Sequence, residues 1–175
     1  FGREEYERAE GFYKEYYAID SSEPDIQLRL GTVLQQQGKT DEAEAMLLGC
    51  VERFPENATV RFNLGILMVA KGDTDAARAW YIEALSFPDP EPKFHINYGN
   101  LLAQEGDLDG ALEQYGFALE IDPESVGAYH NRASSLFYHG KYAEALESVR
   151  ACLAIDGDYE PALALLAAIE SEMGL

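Results

Sequence analysis

The chain has 175 residues, 47% hydrophobic and 26% charged, proportions ordinary for a folded protein and unlike those of a disordered one. Its 32 acidic residues outweigh 13 basic ones, and with a net charge of −19 and no basic cluster it is expected to bind neither nucleic acid nor anionic membrane. No apolar run approaches the ~18 residues that read as a membrane-spanning helix, and the opening "FGREEYERAEG" has no secretory pattern.

Small residues recur at one interval, and that interval sets the predicted elements. Gly38, Gly72, Gly106, Gly140 and Gly174 stand 34 residues apart, as do Gly31, Gly65 and Gly99, continued by Ala133 and Ala167. Ala9, Ala43, Ala77, Ala111 and Ala145 form a third column of the same period. Three columns sharing one period identify a tandem repeat.

Residues 1–23, with Ala9, Tyr13 and Tyr16, are predicted as the second helix of a preceding unit. Four units follow, at 24–57, 58–91, 92–125 and 126–159, and 160–175 reads as the first helix of a fifth, truncated unit, all in one continuous domain. Within a unit, apolar residues beside the small residue, as in Leu64–Met68 and Tyr98–Leu102, make a helical stripe. Glycine then ends the first helix as a left-handed C-cap. Polar turns follow, "GKTDEA", "GDTDAA", "GDLDGA" and "GKYAEA", and the aspartates in several of them suit a helix N-terminus. The second helix carries a stripe such as Ala111, Tyr115 and Ala118.

A glycine inside a helix costs about 1 kcal/mol relative to alanine. Gly31, Gly65 and Gly99 are therefore expected to admit the backbone of a neighbouring helix. Each unit has one apolar face per helix and cannot bury it alone, so neighbours must stack. The apolar "PALALLAAI" near the end predicts either a longer native array or an end covered in an oligomer, and a start at Phe1 without methionine predicts a piece of a longer protein.

Such a helical pair resembles the tetratricopeptide repeat, with its pattern W-x2-L-G-x2-Y…A-x3-F…P. The third unit carries Tyr98, Gly99, Leu102, Ala111, Tyr115, Ala118 and Pro123, and the second Leu64, Gly65, Met68, Ala77, Tyr81 and Ala84. Leu30, Gly31, Leu34, Ala43, Leu47 and Pro55 match in the first unit; the fourth is weaker, with Arg132 in place of Leu and Gly157 in place of Pro. The resemblance implies an all-α, right-handed superhelical solenoid of antiparallel helix pairs. It also implies a concave groove, lined by the first helices, that takes a protein or peptide.

On that face the four units place Asp25, Leu28, Arg29, Thr32, Gln35; Thr59, Phe62, Asn63, Ile66, Val69; Lys93, Ile96, Asn97, Asn100, Ala103; and Gly127, His130, Asn131, Ser134, Phe137. One of these twenty is acidic and two are basic, so the inner face escapes the acidity of the chain. Asn63, Asn97 and Asn131 form a column of period 34 that resembles the asparagine ladder of some tetratricopeptide proteins that bind extended peptides. An amide can both donate to and accept from a peptide backbone. The candidate peptide site is therefore Arg29, Phe62, Asn63, Ile66, Lys93, Ile96, Asn97, Asn100, His130 and Asn131. Arg29 and Lys93 favour acidic groups, the asparagines hold backbone, and Phe62 and Ile96 supply apolar contact.

The carboxylate clamp of co-chaperone relatives needs Lys, Asn, Asn, Lys and Arg from successive first helices. With Leu28, Thr32 and Asn97 at three of those positions, the pattern fails. Cys50 and Cys152 lie three repeats apart, at least ~25 Å for helices packed 8–10 Å from one another. A disulfide requires Cα atoms within ~7 Å, so both are expected as buried thiols, compatible with a reducing compartment. A cytoplasmic location is the corresponding expectation. His95, His130 and His139 lack metal-ligand spacing, and no HExxH, P-loop or GxSxG is present. The expectation is a non-enzymatic scaffold without metal or cofactor. Its alternatives are self-assembly through the repeat ends, or an accessory region of an enzyme whose catalytic domain lies elsewhere.

Overall fold

The computed structural model describes residues 3–19 and 24–175, with side chains described for 5–15 and 27–175. The side chains of Tyr16 and Asp25, named above, lie outside that set. The described residues form ten helices and no strand. By compactness the chain divides into two units, Phe1–Asp89 and Pro90–Leu175.

The first unit holds α1 (Arg3–Ile19), α2 (Pro24–Gln36), α3 (Thr40–Arg53), α4 (Ala58–Lys71) and α5 (Thr74–Leu85). The second holds α6 (Pro92–Gln104), α7 (Leu108–Ile121), α8 (Val126–Tyr138), α9 (Tyr142–Ile155) and α10 (Glu160–Met173).

The turns within helix pairs are built by the glycine column. Gly38, Gly72, Gly106, Gly140 and Gly174 have φ of 74°, 78°, 85°, 72° and 71°, the left-handed region where a Cβ is penalised. Each is followed by the same closing bond. The next N–H donates to the carbonyl five residues back: Lys39 to Leu34, Asp73 to Met68, Asp107 to Leu102, Lys141 to Leu136 and Leu175 to Glu170, at 2.9–3.0 Å. This bond satisfies a carbonyl left over at the helix end. Aspartates then start the next helix, Asp73 accepting from Ala76 N and Asp107 from Gly110 N, each at 3.0 Å. Asn57 and Ser125 do the same for α4 and α8.

The in-helix glycines do their work against side chains. A Cβ added at Gly65 would fall 2.4 Å from Cε1 of Tyr81, and one at Gly99 2.8 Å from Cε1 of Tyr115. At Gly31 the neighbour is Leu47, 3.1 Å away. The expected backbone contact is thus corrected: a ring or a leucine from the paired helix fills the space. At Gly99 a backbone atom, the Ala111 carbonyl oxygen at 3.3 Å, also stands close.

Leu30, Leu34, Ala43, Leu47, Val60, Leu64, Leu67, Ala77, Tyr81 and Ala84 bury the stripes of the first unit. In the second unit Ala133, Leu136, Ala145, Val149, Cys152, Ala162 and Ile169 form one continuous cluster. Both cysteines are free and buried. Cys50 donates its thiol to Gln27 Oε1 at 2.5 Å, and burial raises its pKa to about 11.

Candidate functional site

A recess opens on the first helices in each unit, and among the described residues neither lining includes an acid. In the second unit a recess of about 400 Å³ is walled by Asn100, Ala103 and Gln104 of α6, Tyr115 of α7, and Asn131, Ser134, Ser135 and Tyr138 of α8, with His139 just beyond.

A hydrogen-bonded chain forms its floor. Tyr115, 1% exposed, donates its hydroxyl to Asn100 Oδ1 at 2.8 Å. Asn131 Nδ2 donates to the same oxygen at 3.0 Å. Because the tyrosine proton is committed, the buried Ser135 hydroxyl donates to the tyrosine oxygen at 3.3 Å. His130 meets Asn131 Oδ1 through Nδ1 at 3.3 Å. An amide oxygen only accepts, so Nδ1 carries the proton there. Burial raises the Tyr115 pKa, opposed in part by the Ser135 contact, so the phenol remains a donor at neutral pH. Both lone pairs of Asn100 Oδ1 are therefore filled, and what Asn100 has left is its NH2. Asn131 keeps a second N–H. The floor presents donors.

The sequence column placed Asn97 with Asn131, but the amide that Asn131 meets is Asn100, one helical turn on. Asn97 is half-buried, and its Nδ2 donates to its own helix at Lys93 O, 2.9 Å. Ile96 is half-buried. Lys93 faces Glu91 at 2.7 Å and lies over the Phe94 ring, so its charge is already engaged. His95 donates through Nδ1 to the buried Gln114 Oε1 at 2.9 Å. Residues whose part here was not foreseen are Tyr115, Ser135, Gln104, Tyr138 and His139. The usable signal was the hydroxyl of Tyr115, in a column that holds Tyr13, Leu47, Tyr81 and Val149 elsewhere, together with Asn100 on the paired helix.

In the first unit a recess of about 420 Å³ is lined by Tyr13 of α1, Leu28, Arg29, Thr32 and Val33 of α2, and Thr59 and Asn63 of α4. Thr32 donates its hydroxyl to Leu28 O at 2.9 Å. Arg29 is exposed, Asn63 and Ile66 are half-buried, and Asn63 makes no hydrogen bond among the described residues. Phe62 is the correction. It is 3% exposed and packs against Tyr81 with ring centroids 5.9 Å apart, so its side chain belongs to the core and offers no surface to a ligand. Its position follows from α4, where Phe62, Leu64 and Leu67 share the burial with their neighbours.

Among the described residues no helix is long and apolar enough to cross a membrane, and no group of three or more His, Cys, Asp or Glu residues is placed to hold a metal ion.

Helix pairs closed by a glycine every 34 residues define a helical repeat solenoid. Models of the tetratricopeptide repeat match residues 23–87, 99–137 and 126–159, most of the chain. The chain belongs to the tetratricopeptide repeat family. Among solved structures it resembles YrrB, described as a TPR protein with an unusual peptide-binding site, at 27% identity and TM-score 0.71, over 92% of this chain and 83% of that one. PilF of Pseudomonas aeruginosa is similar at 19% identity and TM-score 0.82, over 98% and 78%. MamA is similar at 20% identity and TM-score 0.72, over 89% and 85%. The last two share the fold alone. No curated protein matches the chain. Proteins of this fold are typically non-catalytic, and the repeats support a protein-interaction scaffold in general for this chain.

Proposed function

We propose that this chain holds an extended peptide or protein segment on the inner face of its first helices and so helps assemble a complex. The observation that carries this is the pair Asn100 and Asn131, joined at 3.0 Å and pinned by Tyr115, both lining a recess with no acid in its lining. Backbone carbonyls of an extended ligand match such donors. Ile96, Asn97 and His130 are the further contacts proposed in the second unit, and Arg29, Asn63 and Ile66 those proposed in the first. The peptide-binding site in the name of YrrB supports the same class of ligand. Each neutral hydrogen bond nets about 1 kcal/mol, so a short neutral peptide binds near the millimolar level.

The test is a nitrogen-15 NMR titration with a capped, neutral, alanine-rich hexapeptide. The side-chain amides of Asn100 and Asn131 should move, and Asn100→Ala with Asn131→Ala should abolish the response without unfolding. Amides that stay still at ~10 mM peptide, several-fold above that expected affinity, refute the proposal.

A second reading, self-association, is favoured by α10, where Leu163 is 45% and Leu175 just after it 75% exposed. Light scattering over a concentration series decides it, since a constant monomer mass rejects association.

A further inference from the structure

We infer that the second-unit recess selects a primary amide, the side chain of glutamine or asparagine, and that His139 is the residue that sets this preference. This rests on the reading of the chain as a peptide binder and names one side chain of the ligand.

Hydrogen-bonding capacity is the first ground. Asn100 and Asn131 line the recess and retain N–H donors, since the Asn100 oxygen is already filled by Tyr115 and Asn131. His139 is exposed, lines the same recess, and donates through Nδ1 to the Ser135 carbonyl oxygen at 2.8 Å. A carbonyl only accepts, so Nδ1 carries the proton there, and Nε2 of the neutral ring keeps a lone pair. The recess therefore pairs amide donors with an acceptor. A primary amide brings the matching oxygen and N–H on one planar group. A carboxylate brings oxygens alone, with no hydrogen to offer the His139 lone pair.

Charge is the second ground. Among the described residues no Asp, Glu, Lys or Arg lines the recess. A charged ligand group would give up water there without a counter-charge, and an anion also approaches a chain of net charge −19. An apolar side chain would instead cover the polar groups of Ser134 and Gln104 and leave them unpaired. An uncharged group that both donates and accepts meets neither cost.

The repeat supplies the third ground. At the positions equivalent to His139 stand Gln37, Lys71, Glu105 and Met173. Each directly precedes a left-handed glycine, so the turn itself does not call for histidine.

The test is the NMR titration at pH 8 with four hexapeptides, all alanine except for one central glutamine, asparagine, glutamate or norleucine. Acetyl and N-methylamide caps keep terminal primary amides out of competition. The four share one backbone, so differences in affinity belong to the side chain. At least one amide peptide should bind about fivefold more tightly than the glutamate and norleucine peptides, as one net neutral hydrogen bond provides. The Nε2 resonance of His139 should move with that peptide and stay still with norleucine. His139→Phe, at an exposed position, should bring the amide and norleucine peptides within about twofold of each other. His139→Gln, which keeps an acceptor oxygen, should retain part of the preference.

Equal affinity for all four peptides overturns the inference. So does an Nε2 resonance that ignores the amide peptides, or a preference that survives His139→Phe. The Asn100 and Asn131 amides, followed with the norleucine peptide, report separately on general peptide binding. A response there without amide preference defeats this inference alone, and silence with every peptide defeats both.

Discussion

Replacing Tyr115 with phenylalanine removes one oxygen from the floor of the second-unit recess and keeps the ring. The ring still fills the space left by Gly99, so packing is preserved and the hydroxyl is isolated as the variable. Two bonds go: the donation to Asn100 Oδ1 at 2.8 Å and the contact with Ser135 Oγ at 3.3 Å. A neutral hydrogen bond nets about 1 kcal/mol, and a buried hydroxyl left without a partner costs about 1–3 kcal/mol. Ser135 is 7% exposed and becomes that hydroxyl, whereas Asn100 retains Asn131. The expected loss is therefore about 2 kcal/mol, which lowers Tm by roughly 4–8 °C for a chain of this size. The consequence for binding is separate. With its tether gone, Asn100 can turn its oxygen toward the recess, and the neutral peptide should bind several-fold more weakly. Calorimetric melting and the Asn100 side-chain resonances measure the two effects. An unchanged Tm together with unchanged Asn100 resonances refutes the role given to the hydroxyl.

Gly65→Ala should destabilise the first unit by about 1–3 kcal/mol, because the new methyl meets Tyr81 Cε1 at 2.4 Å and the ring is itself buried; thermal melting reads it, and a neutral result contradicts the packing. The Glu10 carboxyl is held down to about pKa 2 by hydrogen bonds from Lys14 and Lys39, against an ordinary 4.5. Its contribution is therefore fully present above pH 4.5 and is lost as pH falls toward 2, so proteolytic nicking of α1 should rise over that window, and Glu10→Gln should flatten the rise. Cys50, wholly buried with its pKa raised to about 11, should resist iodoacetamide at pH 8 until denaturant is added. Rapid native alkylation would contradict that burial.

The fold was legible because its determinants are local. A glycine every 34 residues takes a left-handed φ to end a helix, and at Asp73 and Asp107 the aspartate after it caps the next, whatever lies elsewhere in the chain. Period and caps together imply paired helices, and burial of the stripes implies stacking. That no acid lines the second-unit recess was also readable in part, since Asn100, Ala103, Asn131 and Ser134 fall on the predicted first-helix face.

Which amides meet was decided by tertiary packing. A repeat period sets how far apart equivalent residues lie along the chain, but not how far one helix is turned and slid against the next. Asn131 therefore bonds to Asn100, 31 residues away, rather than to Asn97 in its own column. Phe62 turns inward onto Tyr81 for the same reason. Tyr115, readable from sequence only as a packing residue, acquires a second role because α7 carries its hydroxyl to the seam between α6 and α8.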